Sequence, residues 1–94
     1  MFTNQGDTEI LEKIKTEESL KEPSKIVLYN DDVNTFDHVI DTLVRVCSHN
    51  SIQAEQCAML VHYKGKCTVK TGELVRLEPM CTALLDAGLS AEIQ

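Results

Sequence analysis

Apolar residues first gather in the run Lys25 to Asn30, read K-I-V-L-Y-N, where Ile26, Val27 and Leu28 follow one another without a polar break. A short β-branched run bounded by polar residues predicts a buried strand. It gives way to the cluster Asn30 to Thr35, in which Asn34 or Thr35 can cap a following helix and Asp37 lies near that helix's positive end. Phe36, Val39, Ile40, Leu43, Val44 and Cys47 then recur at helical intervals, with Asp37, Asp41 and Arg45 between them. That is one amphipathic helix. The polar stretch Ser48 to Ser51 ends it and caps a second, whose apolar face is Ala54, Cys57, Ala58, Leu60 and Val61 and whose end is Tyr63 to Gly65.

Lys66 to Thr71 alternates weakly and carries Thr68 and Val69, the pattern of a short, half-exposed strand. A third helix is predicted over Leu77 to Ala87, with Leu84 and Leu85 inward and Gly88 as its left-handed stop, followed by a last strand, Leu89 to Ile93. Pro79 leaves two options: the helix becomes regular near Glu78, or its first turns are bent. Before Lys25 the pattern fades. Residues 1 to 24 hold few large apolar side chains and close on KEPSK, which reads as a flexible N-terminal tail. Within it Ile10, Leu11 and Ile14 have helical spacing, enough for a transient turn. The expected class is α+β: a small sheet of about three strands packed against three helices, in the order β-α-α-β-α-β, formed by residues 25 to 94.

Composition narrows what such a domain does. A chain of 94 residues with 43% hydrophobic and 26% charged side chains makes one ordinary globular domain. Its formal charge of −6 argues against a nucleic-acid partner, which needs surplus Lys and Arg, and suits cationic groups instead. No stretch approaches the roughly 18 consecutive apolar residues of a membrane helix, and the first residues lack the blocks of a signal peptide. A cytoplasmic monomer is the expectation. Cys47, Cys57 and Cys81 fall within apolar helical patterns, so the thiols read as reduced core residues rather than disulfides.

The candidate chemistry lies in the loop Asn30-Asp31-Asp32-Val33-Asn34 and in His62, set near the end of an apolar helical face. A primary ammonium needs several inward acceptors, and a carboxamide oxygen, a carboxylate and a neutral imidazole each supply one. If Phe36 and Val39 face Ala58 and Val61, they wall an apolar hole beside that polar mouth. Taken alone, though, Asn-Asp-Asp is a common turn cluster and a helical His is commonly structural. The residues leave both readings open.

The chain from Lys25 onward resembles the ClpS adaptor family, on the strand followed by Asn30-Asp31-Asp32 and on Val61-His62-Tyr63-Lys64-Gly65-Lys66 after two helices. That resemblance implies a non-enzymatic adaptor without cofactor or metal. Such an adaptor binds the free amino group and bulky hydrophobic first residue of an N-degron and delivers it to a Clp AAA+ unfoldase of ClpA or ClpC type. It further implies that Asn30, Asp31 and His62 hold the amino group, that Asn34, Phe36, Val39, Ala58 and Val61 line the side-chain pocket, and that Glu73, in a Thr-x-Glu pattern with Thr71, contacts the unfoldase. Phe36 and Ala58 stand where methionines are frequent in the family, Asn34-Thr35 where Thr-Pro is, and Glu78 at a basic position.

Three rival readings are weaker. A metal site on Cys47, His49, Cys57, His62 and Cys67 lacks the close ligand pairs zinc favours. A thiol hydrolase on Cys67 and His62 has no evident oxyanion donor. A ribosomal-stalk C-terminal domain shares the element order but needs no polar mouth with His62 at its rim.

Overall fold

The computed structural model describes residues 23–94. In chain order the elements are β1 (Ser24–Tyr29), α1 (Phe36–Cys47), α2 (Ser51–Lys64), β2 (Lys66–Gly72), α3 (Leu74–Asp86) and β3 (Ser90–Ile93). This is the α+β order expected from the hydrophobic pattern. The tail reading falls on residues 1–22, outside the described residues, and Ser24 already belongs to β1.

The sheet has the order β2-β1-β3, with β1 antiparallel to both neighbours. Ile26 and Leu28 of β1 join the core with Val69 of β2 and Ala91 of β3. Val27 between them is also buried but lies outside that cluster, as strand alternation requires of a residue on the other face. The β1–β2 register shifts between Ile26 and Val27, and Val69 is the extra residue of the resulting bulge.

The helices close over the core face with Leu43, Cys47, Ala54, Cys57, Val61, Leu77, Cys81 and Leu84. Thr35 is the N-cap of α1, its hydroxyl accepting from the His38 amide at 3.1 Å, and Asn50 caps α2 through the Gln53 amide at 2.7 Å. Ser48 ends α1 in the left-handed region at φ 58, where glycine is the ordinary occupant. Gly65, at φ 91, turns α2 directly into β2.

Two expectations for the third helix need correction. It begins at Leu74, earlier than Leu77, because the Glu73 carbonyl accepts from the Arg76 and Leu77 amides at 3.0 Å each and starts the spiral ahead of Pro79. Pro79 is held inside the helix and forfeits the bond its nitrogen would have made to the Val75 carbonyl. Leu84 is fully buried, but Leu85, next to it and about 100° round the helix, is 51% exposed rather than inward. The inward stripe is Leu77, Cys81 and Leu84. By the same geometry Val44 and Leu60 lie outside their helices' buried stripes.

Candidate functional site

The end of β1 delivers Asn30 into the loop before α1, and the Asn30 amide donates to the Gly65 carbonyl at 2.9 Å. The start of α1 and the last turns of α2 are thereby brought beside the loop. A cavity of about 270 Å³ opens there, lined by Leu28, Tyr29, Asn30, Asp31, Asp32, Asn34, Phe36, Val39, Ala58, Val61, His62 and Leu89. Val39, Ala58, Val61, Leu28 and Leu89 supply apolar wall, whereas Asn30, Asp31, Asp32, Asn34 and His62 are polar. Ala58, Val61, Leu28 and Leu89 are buried, and His62 and Phe36 are exposed at the rim. Their rings meet edge to face with centroids 5.9 Å apart, and the His62 ring meets Tyr63 at 4.8 Å.

Asp31 organises this loop. Its Oδ1 accepts from the amides of Val33 at 3.0 Å and Asn34 at 2.9 Å, and the Asn34 side-chain nitrogen reaches Oδ1 at 3.0 Å and Oδ2 at 2.8 Å. The Ser90 hydroxyl donates to Oδ2 at 3.3 Å. Desolvation alone would push the Asp31 carboxyl up, but the Asn34 amide, the Asn34 side chain, the Val33 amide and the Ser90 hydroxyl together outweigh it and hold the pKa below the ordinary 3.8. Asp31 is therefore an anion at neutral pH with its oxygens already engaged. Asp32 lines the same cavity, is exposed, and makes no side-chain hydrogen bond among the described residues.

The loop is also fastened to the turn between α3 and β3. Asn34 donates its side-chain nitrogen to the Gly88 carbonyl at 2.8 Å, and His38 meets the Ala87 carbonyl through Nε2 at 2.8 Å. Gly88 has φ +90, a conformation that permits this close turn at little steric cost.

The eight residues expected at an amino-group clamp and a side-chain pocket, Asn30, Asp31, Asn34, Phe36, Val39, Ala58, Val61 and His62, thus share one cavity. Glu73 does not; it is the exposed N-cap residue of α3, and its side chain makes no capping bond. Leu28, Tyr29 and Leu89 line the cavity without having been singled out, and Asp32, named in the loop but given no role of its own, lines it too. Leu28 and Leu89 carry no signal separating cavity wall from core, whereas Asp32 lies within the recognised motif.

The rival constellations are not assembled. Among the described residues no three His, Cys, Asp or Glu side chains converge as metal ligands. His49 is buried, with Nε2 on the Val69 carbonyl at 2.6 Å, and the Cys67 thiol is directed at the Thr68 carbonyl at 3.4 Å while His62 engages Phe36 and Tyr63.

The model of the family described as "ATP-dependent Clp protease adaptor protein ClpS" matches residues 19–92. The chain belongs to the ClpS family. The ClpS adapter protein of Escherichia coli O127:H6 is 40% identical, with 72% of this chain covering 68% of that protein. Those of Escherichia coli O1:K1 and Citrobacter koseri are 39% identical over the same shares. Agrobacterium tumefaciens ClpS2, solved bound to L-phenylalaninamide, is similar in structure at a TM-score of 0.67 and 22% identity, over 78% of this chain and 98% of that one. At that identity the likeness shows the ClpS fold. As a ClpS protein the chain is an adaptor of the Clp protease and not itself an enzyme. No helix among the described residues is long and apolar enough to cross a membrane.

Proposed function

We propose that this ClpS chain captures proteins through a free N-terminal amino group and a bulky apolar first residue, and delivers them to a Clp AAA+ unfoldase. The observation that carries this reading is the cavity, an apolar hole with carboxamide, carboxylate and imidazole groups at one mouth. A ligand entering it side chain first leaves its α-ammonium among Asn30, Asp32 and His62, with the fully bonded Asp31 carboxylate adding negative charge and holding the loop in shape. Phenylalaninamide, the ligand of the solved relative, has this two-part form: an α-amino group beside an apolar ring.

The magnitudes are sufficient. Hydrogen bonds to a charged group contribute about 1.5 to 3 kcal/mol each and burial of a Leu or Phe side chain about 1.5 to 3 kcal/mol. Three such contributions approach the ~8 kcal/mol of micromolar binding when the site is preorganised. The ties from the loop to Gly88 and Ser90, and from His38 of α1 to Ala87, provide that preorganisation.

The deciding experiment compares a peptide beginning with free Leu or Phe against its acetylated twin by fluorescence anisotropy. Acetylation removes the ammonium and is expected to abolish binding, and Asn30→Ala and His62→Ala are each expected to weaken the free peptide about tenfold or more, as loss of a charged hydrogen bond does. Equal binding of the twins would overturn the reading.

A further inference from the structure

Asn34, a wall residue of the cavity, has an acceptor to spare. Its side-chain nitrogen is fully committed, donating to Asp31 Oδ1 at 3.0 Å, to Asp31 Oδ2 at 2.8 Å and to the Gly88 carbonyl at 2.8 Å. A carbonyl oxygen and an ionised carboxylate accept and cannot donate, so only one orientation of the Asn34 carboxamide satisfies them. Its remaining polar atom is thereby the carbonyl oxygen Oδ1, which accepts no hydrogen bond among the described residues.

That oxygen is not sealed in. Among the described residues His49 Nδ1 is the one unpartnered side-chain nitrogen or oxygen that is fully buried, so Asn34 Oδ1, also unpartnered, keeps contact with open space. It lies beside the turn between α3 and β3, 3.8 Å from where a Cβ on Gly88 would stand, and no other atom outside that turn comes within 4 Å of that point. Leu89, next in the chain, is buried and forms part of the cavity wall. The groups placed around the amino end are fastened elsewhere, Asn30 to the Gly65 carbonyl at the end of α2, the helix that carries His62. The cavity thus has a second polar point on its Leu89 side.

We infer that Asn34 Oδ1 reads the tip of the client's first side chain and selects tyrosine, whose phenol O–H donates to it, over phenylalanine. The inference rests on the N-terminal-residue reading above and sharpens it, from a bulky apolar first residue to one that also carries a donor.

The selection follows from what each ring does to the oxygen. A Phe ring covers Oδ1 with carbon, strips it of water and puts no donor in its place, whereas a Tyr hydroxyl replaces the lost bond. A pocket that hydrogen-bonds a substrate hydroxyl rejects the analogue lacking it more strongly than an apolar pocket separates side chains of similar size. The three bonds on the Asn34 nitrogen also hold Oδ1 in place before a client arrives, so the contact costs little ordering. One side chain in this way fastens the loop through its nitrogen and reads the ligand through its oxygen.

The test measures, by fluorescence anisotropy on the full chain, peptides that share a free amino group and differ only in beginning with Tyr, Phe or O-methyltyrosine. The Tyr peptide is expected to bind about tenfold more tightly than the Phe peptide, and O-methyltyrosine, which keeps the oxygen but has no proton to donate, no more tightly than Phe. Asn34→Ala should weaken the Tyr and Phe peptides together, because the ties to Asp31 and Gly88 go with it, and should also bring their ratio to about twofold or less. The ratio separates the acceptor from the shape of the loop, and the comparison of the three ligands on the natural protein decides even where that variant does not fold. Equal affinity for Tyr and Phe, an O-methyltyrosine peptide that binds as tightly as Tyr, or a tenfold ratio that survives Asn34→Ala would each overturn the inference. If none of the three binds better than its acetylated twin, the N-terminal-residue reading fails and the role of Asn34 fails with it. Tyr and Phe peptides that bind equally, but better than their acetylated twins, sink the role of Asn34 alone.

Discussion

At the scale of single residues, Phe36 and Asp31 do different kinds of work. Phe36 stands at the rim, 38% exposed, with its ring edge to face against His62. In the proposed binding mode a ring in that position would crowd a first residue branched at Cβ, while Ala58, also lining the cavity, takes up little space. A peptide beginning with Leu is therefore expected to bind about tenfold more tightly than one beginning with Ile or Val, a discrimination of the size hydrophobic pockets achieve. Phe36→Ala should narrow that ratio, and equal affinity of Leu and Ile peptides for the natural protein would count against the gate. Asp31 instead sets the shape of the loop. Its folded-state pKa lies below 3.8, so its contribution to stability is present above the unfolded-state value and is lost as pH falls through the folded-state value. Asp31→Asn is expected to lower stability at neutral pH and to flatten the loss of stability seen below about pH 4, measured by urea unfolding across that range. An unchanged acid slope would show that the loop's bonds do not depend on the charge.

At the scale of elements, α3 is the instructive case. Pro79 sits inside it and removes one backbone bond, and a proline in a helix interior costs about 3 kcal/mol. Part of this is returned through the stiffer unfolded chain, so Pro79→Ala is expected to raise stability by about 1 to 2 kcal/mol, read as a higher urea midpoint at constant slope. A fall instead would mean that the proline seats Leu77 and Cys81 correctly. The same helix shows where sequence reading stops. Periodicity located β1, α1, α2 and the element order because each buries a clear stripe or run. The start of α3 was obscured because Pro79 is an equally good first helical residue, and only the Glu73 carbonyl, with its two amide donors, decides for the earlier start. Leu84 and Leu85 are chemically identical, and only packing assigns one inward. In the site, the motif residues and the cavity-facing positions of α1 and α2 were legible, while the role of Leu28 and Leu89 was not, since a buried strand residue looks the same beside a cavity or a core. His49 was missed as a structural residue because its partner is the Val69 carbonyl, which has no signature in the sequence.

At the scale of the molecule, the proposed capture site and the proposed unfoldase contact fall on different surfaces. Glu73 heads α3, outside the cavity, with no capping bond on its side chain. If it is the unfoldase contact, Glu73→Lys is expected to leave peptide affinity within about twofold, as surface substitutions away from a site generally do. The same change should strongly reduce adaptor-dependent degradation of an N-degron reporter by a Clp protease. Loss of both together, or of neither, would remove Glu73 from that role.

The placement of β1 between its two neighbours leaves β2 and β3 as the sheet's margins among the described residues. A margin of unpaired amides invites another chain to add a strand, the route by which sheet proteins aggregate. Here β3 is only four residues long, and β2 opens at Lys66 and is interrupted by the bulge at Val69. Neither margin offers a long, flat template. The sheet is in this way guarded against edge-to-edge pairing with other chains.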